Sequence, residues 1–171
     1  MVRNILTYPD KILREVSKDV VSFDESLHRL LDDMYETMME YQGIGLAAIQ
    51  VGVTQNVLII NLVNENGEQD KSDLYEIINP VILEKDGVIV YQEGCLSVPG
   101  YYDDIERAEH IKVTYRNREG KTINREFRGL MAIAMQHEMD HLQGHLFIEK
   151  LSYLKRKKFE KEWKKNQKNS K

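Results

Sequence analysis

The chain has 171 residues, which is enough for one domain with a substantial hydrophobic core. Hydrophobic residues make up 42% and charged residues 30%, values typical of soluble globular proteins. No apolar run reaches signal-peptide length at the start, and none approaches the roughly 20 residues that span a bilayer. A single cysteine, Cys95, excludes an internal disulfide. We therefore expect a cytoplasmic protein with no membrane attachment and no disulfide-linked partner.

The net charge of −4 conceals an uneven distribution. Residues 155–171 contain nine lysines and arginines and two acidic residues, whereas the preceding 154 residues contain 15 basic and 26 acidic side chains. A basic end on an acidic body indicates that the end contacts a polyanion. The sequence predicts one domain over residues 1–171, in which residues 152–171 form a basic C-terminal helix or tail.

The first predicted element is an amphipathic helix. Ser22 and Glu25 match a capping box, with Ser22 as the N-cap. The following apolar residues recur at intervals of three and four, which places them on one helical face: Leu27, Leu30, Leu31, Met34, Met38 and Tyr41. Gly43 predicts the end of this helix.

The middle of the chain predicts β structure. Apolar or alternating runs indicate strands at residues 56–62, 77–83, 88–91, 111–116 and 122–127. Asp86 and Gly87 predict a tight turn that pairs the second and third of these strands as a hairpin. Residues 117–120, Asn-Arg-Glu-Gly, predict another hairpin between the last two strands.

A buried helix follows. Gly129 introduces a strongly helical stretch over residues 130–143, which Gly144 closes. Residues 130–135 are apolar on every side, so most of this helix should be buried. An amphipathic helix, several antiparallel strands and a buried helix indicate the α+β class. We expect antiparallel or mixed β-sheets packed around the buried helix, which carries His137 and His141, and a C-terminal helix after it.

His137 and His141 suggest a metal site. They are four residues apart and therefore lie one above the other on one helical face. Glu138 lies about 100° round the helix from His137. In that position it would flank a metal and act as the general base of a hydrolytic reaction. The competing interpretation is a chance match, in which both histidines are hydrogen-bonded residues of the core.

A catalytic site of this kind needs a third ligand. Glu160 and Glu162 lie at a distance along the chain that suits a glutamate-ligated metalloprotease, but their lysine-rich surroundings are solvated. Cys95 lies at the end of a predicted strand, beside Gly94, where the backbone can approach a metal closely. One thiolate with two imidazoles is a recognised catalytic set that leaves one position for water. We therefore predict that Cys95 is the third ligand.

Residues 43–50, Gly-Ile-Gly-Leu-Ala-Ala-Ile-Gln, form a third motif. Its glycines could be mistaken for a dinucleotide-binding turn, but such a turn follows a strand and this segment follows a helix. Together with the segment around Cys95 and with His137-Glu138-x-x-His141, it resembles the bacterial peptide deformylases in order and approximate spacing. The resemblance extends from the Tyr8-Pro9 region to the C-terminal helix. It implies a metal-dependent hydrolase that removes the N-formyl group from the formylmethionine of new polypeptides.

The resemblance also implies residue roles. Glu138 would transfer the proton, while the Gln50 amide and the Leu96 N–H would stabilise the oxyanion. The substrate-binding residues would be Gly43, Ile44, Gly45, Tyr91, Glu93, Gly94, Gly100, Leu130, Ile133 and Ala134. The chain departs from the family at Tyr102, where relatives often carry arginine, and at Tyr91, where they carry a smaller aliphatic residue. Contacts beyond the methionine are therefore not predicted.

Asp140 and Arg107 have two interpretations. Asp140 is next to His141, and Arg107 follows the cysteine loop. A buried ion pair between them would orient the site. The alternative is that they are two unrelated surface charges.

The ligand set does not select the metal. Zinc, iron(II), cobalt(II) and nickel(II) all suit one thiolate and two imidazoles. The resemblance implies one divalent ion per chain, iron(II) in the cell, which zinc or nickel often replaces on purification.

The basic tail also has two interpretations. The resemblance favours docking on ribosomal RNA near emerging chains, with lysines on the phosphates. The plainer interpretation is a solvated helix that packs through Leu151, Phe159 and Trp163.

Two other functions stay open from the sequence. One is a ribosome- or RNA-binding module whose metal is structural, which would not need Glu138. The other is a small metalloprotease that uses a glutamate of the tail.

Overall fold

The computed structural model describes residues 1–169, and within them three α-helices and seven β-strands form an α+β fold. The helices are α1 (Glu25–Glu40), α2 (Gly129–Leu142) and α3 (Tyr153–Asn169). The strands are β1 (Gly45–Ala47), β2 (Val57–Ile60), β3 (Tyr75–Asp86), β4 (Ile89–Cys95), β5 (Val98–Arg107), β6 (His110–Arg116) and β7 (Thr122–Arg128). The predicted class, with antiparallel sheets and a C-terminal helix, is confirmed.

The strands form two antiparallel sheets. Strands β1, β2, β3, β6 and β7 are neighbours in that order in the larger sheet, and β4 pairs with β5 in the smaller one. Every residue of β2, Val-Leu-Ile-Ile, is buried, as expected of β-branched and apolar residues in an interior strand. Helix α2 packs on the larger sheet through Ala132, Met135 and Leu142.

Helix α1 follows its apolar pattern, but its cap is not the predicted one. The side chain of Asp24, not Ser22, accepts a hydrogen bond from the Leu27 N–H at 3.2 Å, so the Ser22 prediction is wrong. The helix ends at Glu40, earlier than Gly43. Gln42 has a φ of 59°, and the Gly43 N–H donates to the Met38 carbonyl, which completes a Schellman turn.

One predicted hairpin is confirmed and the other is wrong. Strands β6 and β7 pair from His110 opposite Arg128 to Arg116 opposite Thr122. Strands β3 and β4, on either side of Gly87, do not pair; β3 pairs with β2 and β6 instead. The chain turns at Gly87, where φ is 70°, and passes from the larger sheet to the smaller one.

Helix α2 is the predicted buried helix. Its residues from Ala132 to Glu138 are all buried, and so are His141 and Leu142. The helix ends at Leu142, and Gly144, two residues later, has a φ of 81°. A side chain there would also collide with the Arg14 carbonyl, so glycine is required on two grounds.

Helix α3 packs on the smaller sheet through its few apolar residues. Phe159 is 1% exposed and lies in one core cluster with Leu151, while Tyr8, Tyr101 and Trp163 pack against it. The predicted packing through Leu151, Phe159 and Trp163 is confirmed. Residues 170 and 171 of the predicted tail lie outside the described residues. No helix within residues 1–169 is long and apolar enough to cross a membrane.

Candidate metal centre and its cavity

Three donor side chains from two distant parts of the chain meet in the interior. Cys95 ends β4, and His137 and His141 lie one turn apart on α2. The Cys95 Sγ lies 3.3 Å from the His141 Nε2, and one donor atom from each of the three residues lies within 4.8 Å of the others. Within the described residues, Glu160 and Glu162 do not belong to this group. The structure therefore brings together the three predicted ligands and not the tail glutamates.

The group fits a divalent metal. A tetrahedral ion with bonds of roughly 2.0–2.3 Å to nitrogen and sulfur needs donors about 3.3–3.8 Å apart. The Cys95 Sγ and the His141 Nε2, 3.3 Å apart, have this spacing, and all three donor atoms lie within 4.8 Å of one another. Across residues 1–169, Oε1 of the adjacent Glu138 is buried and has no hydrogen-bond partner. A buried carboxylate oxygen without a partner points to a polar species bound beside it. Geometry and donor chemistry thus agree on a site with room for water or substrate.

A buried ionic network supports His137. Its Nδ1 lies 2.8 Å from the Glu93 Oε1, which leaves Nε2 available to a metal. Arg107 donates to both carboxylate oxygens of Glu93, and its Nη1 donates to the Asp140 Oδ2 at 2.9 Å. Burial alone would raise the pKa of Glu93, but hydrogen bonds from His137 and Arg107 keep it below the ordinary value. Of the two interpretations of Arg107 and Asp140, the structure contains the ion pair, with Arg107 buried and the Asp140 side chain 29% exposed.

Glu138 lies between the donors and strand β1. It is 5% exposed, and its Oε1 is 4.0 Å from the His141 Nε2. Burial raises the pKa of Glu138 to about 7. A Cβ on Gly45 would lie 2.6 Å from the Glu138 Oε2, so the carboxylate occupies space that any side chain at position 45 would fill.

Gln50 is held in one orientation beside Cys95. The Ala47 N–H donates to its Oε1 at 2.9 Å, which fixes the amide so that Nε2 faces the sulfur. Nε2 donates to the Ser97 Oγ at 3.0 Å and lies 3.5 Å from the Cys95 Sγ. Leu96, the residue after Cys95, begins the two-residue turn between β4 and β5. The Gln50 amide therefore lies beside Cys95 in space, and Leu96 is next to Cys95 in the chain.

A cavity of about 570 Å³ opens beside these residues. All the predicted site residues except His141 line this cavity. His141 is 1% exposed and is not part of the lining. Glu93 contributes to the wall, although its carboxylate is directed at Arg107 and His137. The lining residues that were not predicted to bind substrate are Ile5, Thr7, Tyr41, Gln42, Gln92, Pro99 and Tyr102. Except for Tyr102, no motif in the sequence marked them.

The fold and this centre define a metal-dependent hydrolase. The sequence matches the family described as polypeptide deformylase over residues 2–157. The peptide deformylase of Helicobacter pylori strain J99 is 58% identical over 167 residues, covering 98% of this chain and 96% of that protein. The enzyme of Campylobacter jejuni is 53% identical over 172 residues, covering 100% and 98%. A crystal structure of a peptide deformylase from Legionella pneumophila superposes with a TM-score of 0.91 at 41% identity, covering 99% and 98%. The chain belongs to the polypeptide deformylase family.

Proposed function

We propose that this chain removes the N-formyl group from the N-terminal formylmethionine of newly synthesised polypeptides and releases formate. The observation that carries the proposal is the convergence of Cys95, His137 and His141 at the inner end of the cavity, with the Glu138 carboxylate beside them. Nascent formylated chains are made in the cytoplasm, so we place the protein there.

Cys95, His137 and His141 would hold one divalent ion per chain. When bound, such an ion supplies the Lewis acidity that makes water a competent nucleophile near neutral pH. The chain keeps both imidazoles inside the protein and orients His137 through the Glu93 carboxylate.

Glu138 is the residue to which we assign proton transfer. One of its oxygens lacks a hydrogen-bond partner in the described part of the chain, so it is free to take a proton from the attacking water. Glu138 would then return this proton to the leaving amine. The Gln50 amide and the Leu96 N–H would donate to the formyl oxygen as it gains negative charge. Gln50 would exchange its bond to Ser97 for one to the substrate.

The remaining predicted residues would bind the peptide. A formyl group offers little surface, so binding energy must come from the methionine side chain and the adjoining backbone. We assign the methionine pocket to the apolar part of the lining: Ile44, Tyr91, Leu130, Ile133 and Ala134. Backbone near Gly45 and Gly100 would pair with the peptide as an added strand, and Gly43 and Gly94 line the same cavity.

The direct test is formate release from a formylmethionyl peptide, with metal stoichiometry measured on the same sample. Glu138→Gln should keep the metal and lower kcat by about 10²–10⁴-fold, because general acid–base catalysis supplies a factor of this size. Full hydrolysis by Glu138→Gln would show that Glu138 is not the group that transfers the proton. No formate from the metal-loaded protein would reject the proposal.

Substitution of the candidate metal ligands distinguishes the deformylase from the metalloprotease alternative. Cys95→Ala should empty the site, whereas Glu160→Ala and Glu162→Ala should leave the metal content unchanged. The opposite pattern would make a tail glutamate the third ligand.

We infer that iron(II) is the metal in the cell, which makes the enzyme sensitive to oxygen. The cysteine and histidine donors accept iron(II) and zinc nearly equally, so the inference rests on the family and not on the geometry. Anaerobic purification followed by metal analysis tests it. Full activity with zinc alone after such handling would contradict it.

We also propose that the lysines of α3 dock the enzyme on ribosomal RNA. Removing residues 155–171 would be a poor test, because it would also remove the buried Phe159. A cleaner variant replaces three exposed lysines, Lys158, Lys161 and Lys165, by alanine. Ribosome affinity should fall, and the slope of its logarithm against that of salt should flatten by about 0.7–0.9 per lost phosphate contact. The matched control replaces exposed Lys11, Lys85 and Lys121. Equal affinity of the two triple variants would rule the proposal out.

A further inference from the structure

One side of the cavity is formed by main chain at the start of β1. Gly43, Ile44 and Gly45 all line the cavity, and we call these three residues the glycine segment. A Cβ on Gly43 would lie 2.7 Å from the Leu96 Cδ1, and one on Gly45 would lie 2.6 Å from the Glu138 Oε2. The segment therefore lies against two residues to which we assign catalytic roles. Two glycines in three residues also leave its backbone with much conformational freedom, so hydrogen bonds must fix it.

Main-chain pairing holds the inner part of the glycine segment. Gly45 lies opposite Ile60, where β1 pairs with β2. One step further out, the Asn61 N–H donates to the Ile44 carbonyl at 2.8 Å. These bonds extend the ladder of the larger sheet to Ile44, and the carbonyl of Gly43 is the next acceptor along the segment.

The side chain of Gln69 holds this outer end. Its Nε2 donates to the Gly43 carbonyl at 2.9 Å and to the Asn61 carbonyl at 2.8 Å. An amide nitrogen carries two hydrogens, so both are used. A rotated amide would instead turn its oxygen toward two carbonyl oxygens, which fixes the orientation seen here. Gln69 thus joins the glycine segment to the chain that follows β2.

The loop that carries Gln69 is held on both sides of this residue. The Asn64 N–H donates to the Glu68 carbonyl at 2.7 Å, and the Asn64 Oδ1 accepts from the Glu68 N–H at 3.1 Å. On the other side, the Asn61 Nδ2 donates to the Asp70 carbonyl at 2.9 Å. The backbone at Gln69 is therefore fixed through its neighbours, so its amide is preorganised to bind both carbonyls.

We propose that Gln69 is a positioning residue for peptide binding, which holds the glycine segment in the conformation that the formylated peptide meets. This inference rests on the proposed deformylase function and deepens it. Among the described residues that line the cavity, Gln69 is absent, so it acts through Gly43 and not by contact with the peptide. Without the amide, the segment would sample more conformations, and the peptide would have to order it on binding. The loss falls on binding, because the proposed metal ligands belong to β4 and α2.

Two variants test this role in the metal-loaded protein, with formyl-Met-Ala-Ser as substrate. Gln69→Ala removes the amide, and Gln69→Glu keeps its size but replaces the donor by an acceptor. We expect each variant to raise KM by about three- to tenfold and to change kcat by less than about twofold, since a hydrogen bond contributes in that range. The metal content should not change.

Two neighbours in the same loop provide matched controls. Glu68→Ala truncates an exposed side chain, and Asn66→Asp adds the same charge as Gln69→Glu at another exposed position. Both controls should leave KM within about twofold of its original value. A KM that is unchanged in both Gln69 variants, or raised equally in the controls, would overturn the proposal.

Hydrogen exchange of the Asn61 amide gives a second measurement, which needs no substrate. Its bond to the Ile44 carbonyl should open more often once Gln69 no longer holds the segment. Exchange should therefore be about three- to tenfold faster in Gln69→Ala than in Glu68→Ala, and equal rates would count against the proposal. If the unchanged, metal-loaded protein released no formate, the proposed function would be rejected together with this role. Normal formate release with an unchanged KM in the variants would reject the role of Gln69 alone.

Discussion

The Oε1 of Glu93 lies 2.8 Å from the Nδ1 of His137, although 44 residues separate them in the chain. A buried carboxylate at Nδ1 favours the tautomer whose proton is on that nitrogen, which leaves the Nε2 lone pair for a metal. Arg107 compensates the charge of Glu93 from the other side. The orientation of His137, one of the proposed ligands, thus depends on a carboxylate outside the proposed ligand group.

Glu93→Gln should therefore weaken metal binding. Loss of such a supporting group typically costs about 10–100-fold in affinity, because the imidazole is no longer oriented. The affinity can be measured by competition with a chelator on anaerobic protein. Glu76→Gln is the control, because Glu76 pairs with Arg118 outside the cavity. Equal affinities of the two variants would contradict the role of Glu93.

Gly94 and Tyr102 should be energetically coupled. A methyl group at position 94 overlaps the Tyr102 ring, so Gly94→Ala should destabilise the protein less when Tyr102→Ala has removed that ring. We expect a coupling energy of about 1 kcal/mol from urea denaturation of the two single variants and the double variant. The pair Gly94→Ala and Tyr153→Ala should be additive. Additivity in both pairs would show that the ring does not pack on Gly94.

Phe159 should contribute more to stability than any other residue of α3. Its ring lies 4.6 Å from that of Tyr101 and 5.3 Å from that of Tyr8, measured between centroids. Phe159→Ala should lower the free energy of unfolding by about 3–5 kcal/mol, as truncation of a buried aromatic residue does. Leu154→Ala, at a site that is 79% exposed, should change it by less than about 0.5 kcal/mol. Similar small changes in both variants would mean that α3 adds little to the core.

Asp33 should make stability depend on pH in the acid range. The hydrogen bond from the Met1 amino group lowers the pKa of Asp33; burial opposes this effect, and Arg3 adds to it. A carboxylate with a lowered pKa stabilises the fold above its unfolded-state pKa, and this contribution disappears as pH falls through the folded-state pKa. Asp33→Asn should cost about 1–2 kcal/mol at neutral pH and progressively less toward about pH 3.

Urea denaturation across that range measures the difference between Asp33→Asn and the unchanged protein. The exposed Asp86→Asn serves as control, with an expected change below about 0.5 kcal/mol. If the loss of stability caused by Asp33→Asn stayed constant down to about pH 3, the protonation of Asp33 would not contribute to the pH dependence of stability.

Local sequence patterns predicted the elements that depend on interactions between residues close together in the chain. The spacing of His137 and His141, the apolar face of α1 and the Asn-Arg-Glu-Gly turn between β6 and β7 all act within a few residues. Cys95 could be selected because it is the only thiol, beside a glycine at a strand end. The cap at Asp24 was missed because Ser22 and Glu25 match the capping-box pattern, whereas Asp24 is followed three residues later by Leu27.

Pairing between distant segments could not be predicted in the same way. Gly87 has the turn conformation that a hairpin needs, yet β3 has 12 residues and pairs with β2 and β6 along the large sheet. Strand β5 was not predicted, since Tyr101, Tyr102, Asp103 and Asp104 give no apolar alternation. The Glu93–Arg107 contact was missed for a similar reason, because only the paired strands β4 and β5 bring these residues together.

The Glu138 carboxylate packs against the main chain at Gly45. The strand that carries this glycine is paired with β2, with Gly45 opposite Ile60. A backbone held in a ladder of hydrogen bonds moves less than a side chain does. The backbone of β1 therefore limits the movement of the Glu138 carboxylate on that side. The position of β1 in the sheet sets how far the carboxylate can extend toward the substrate.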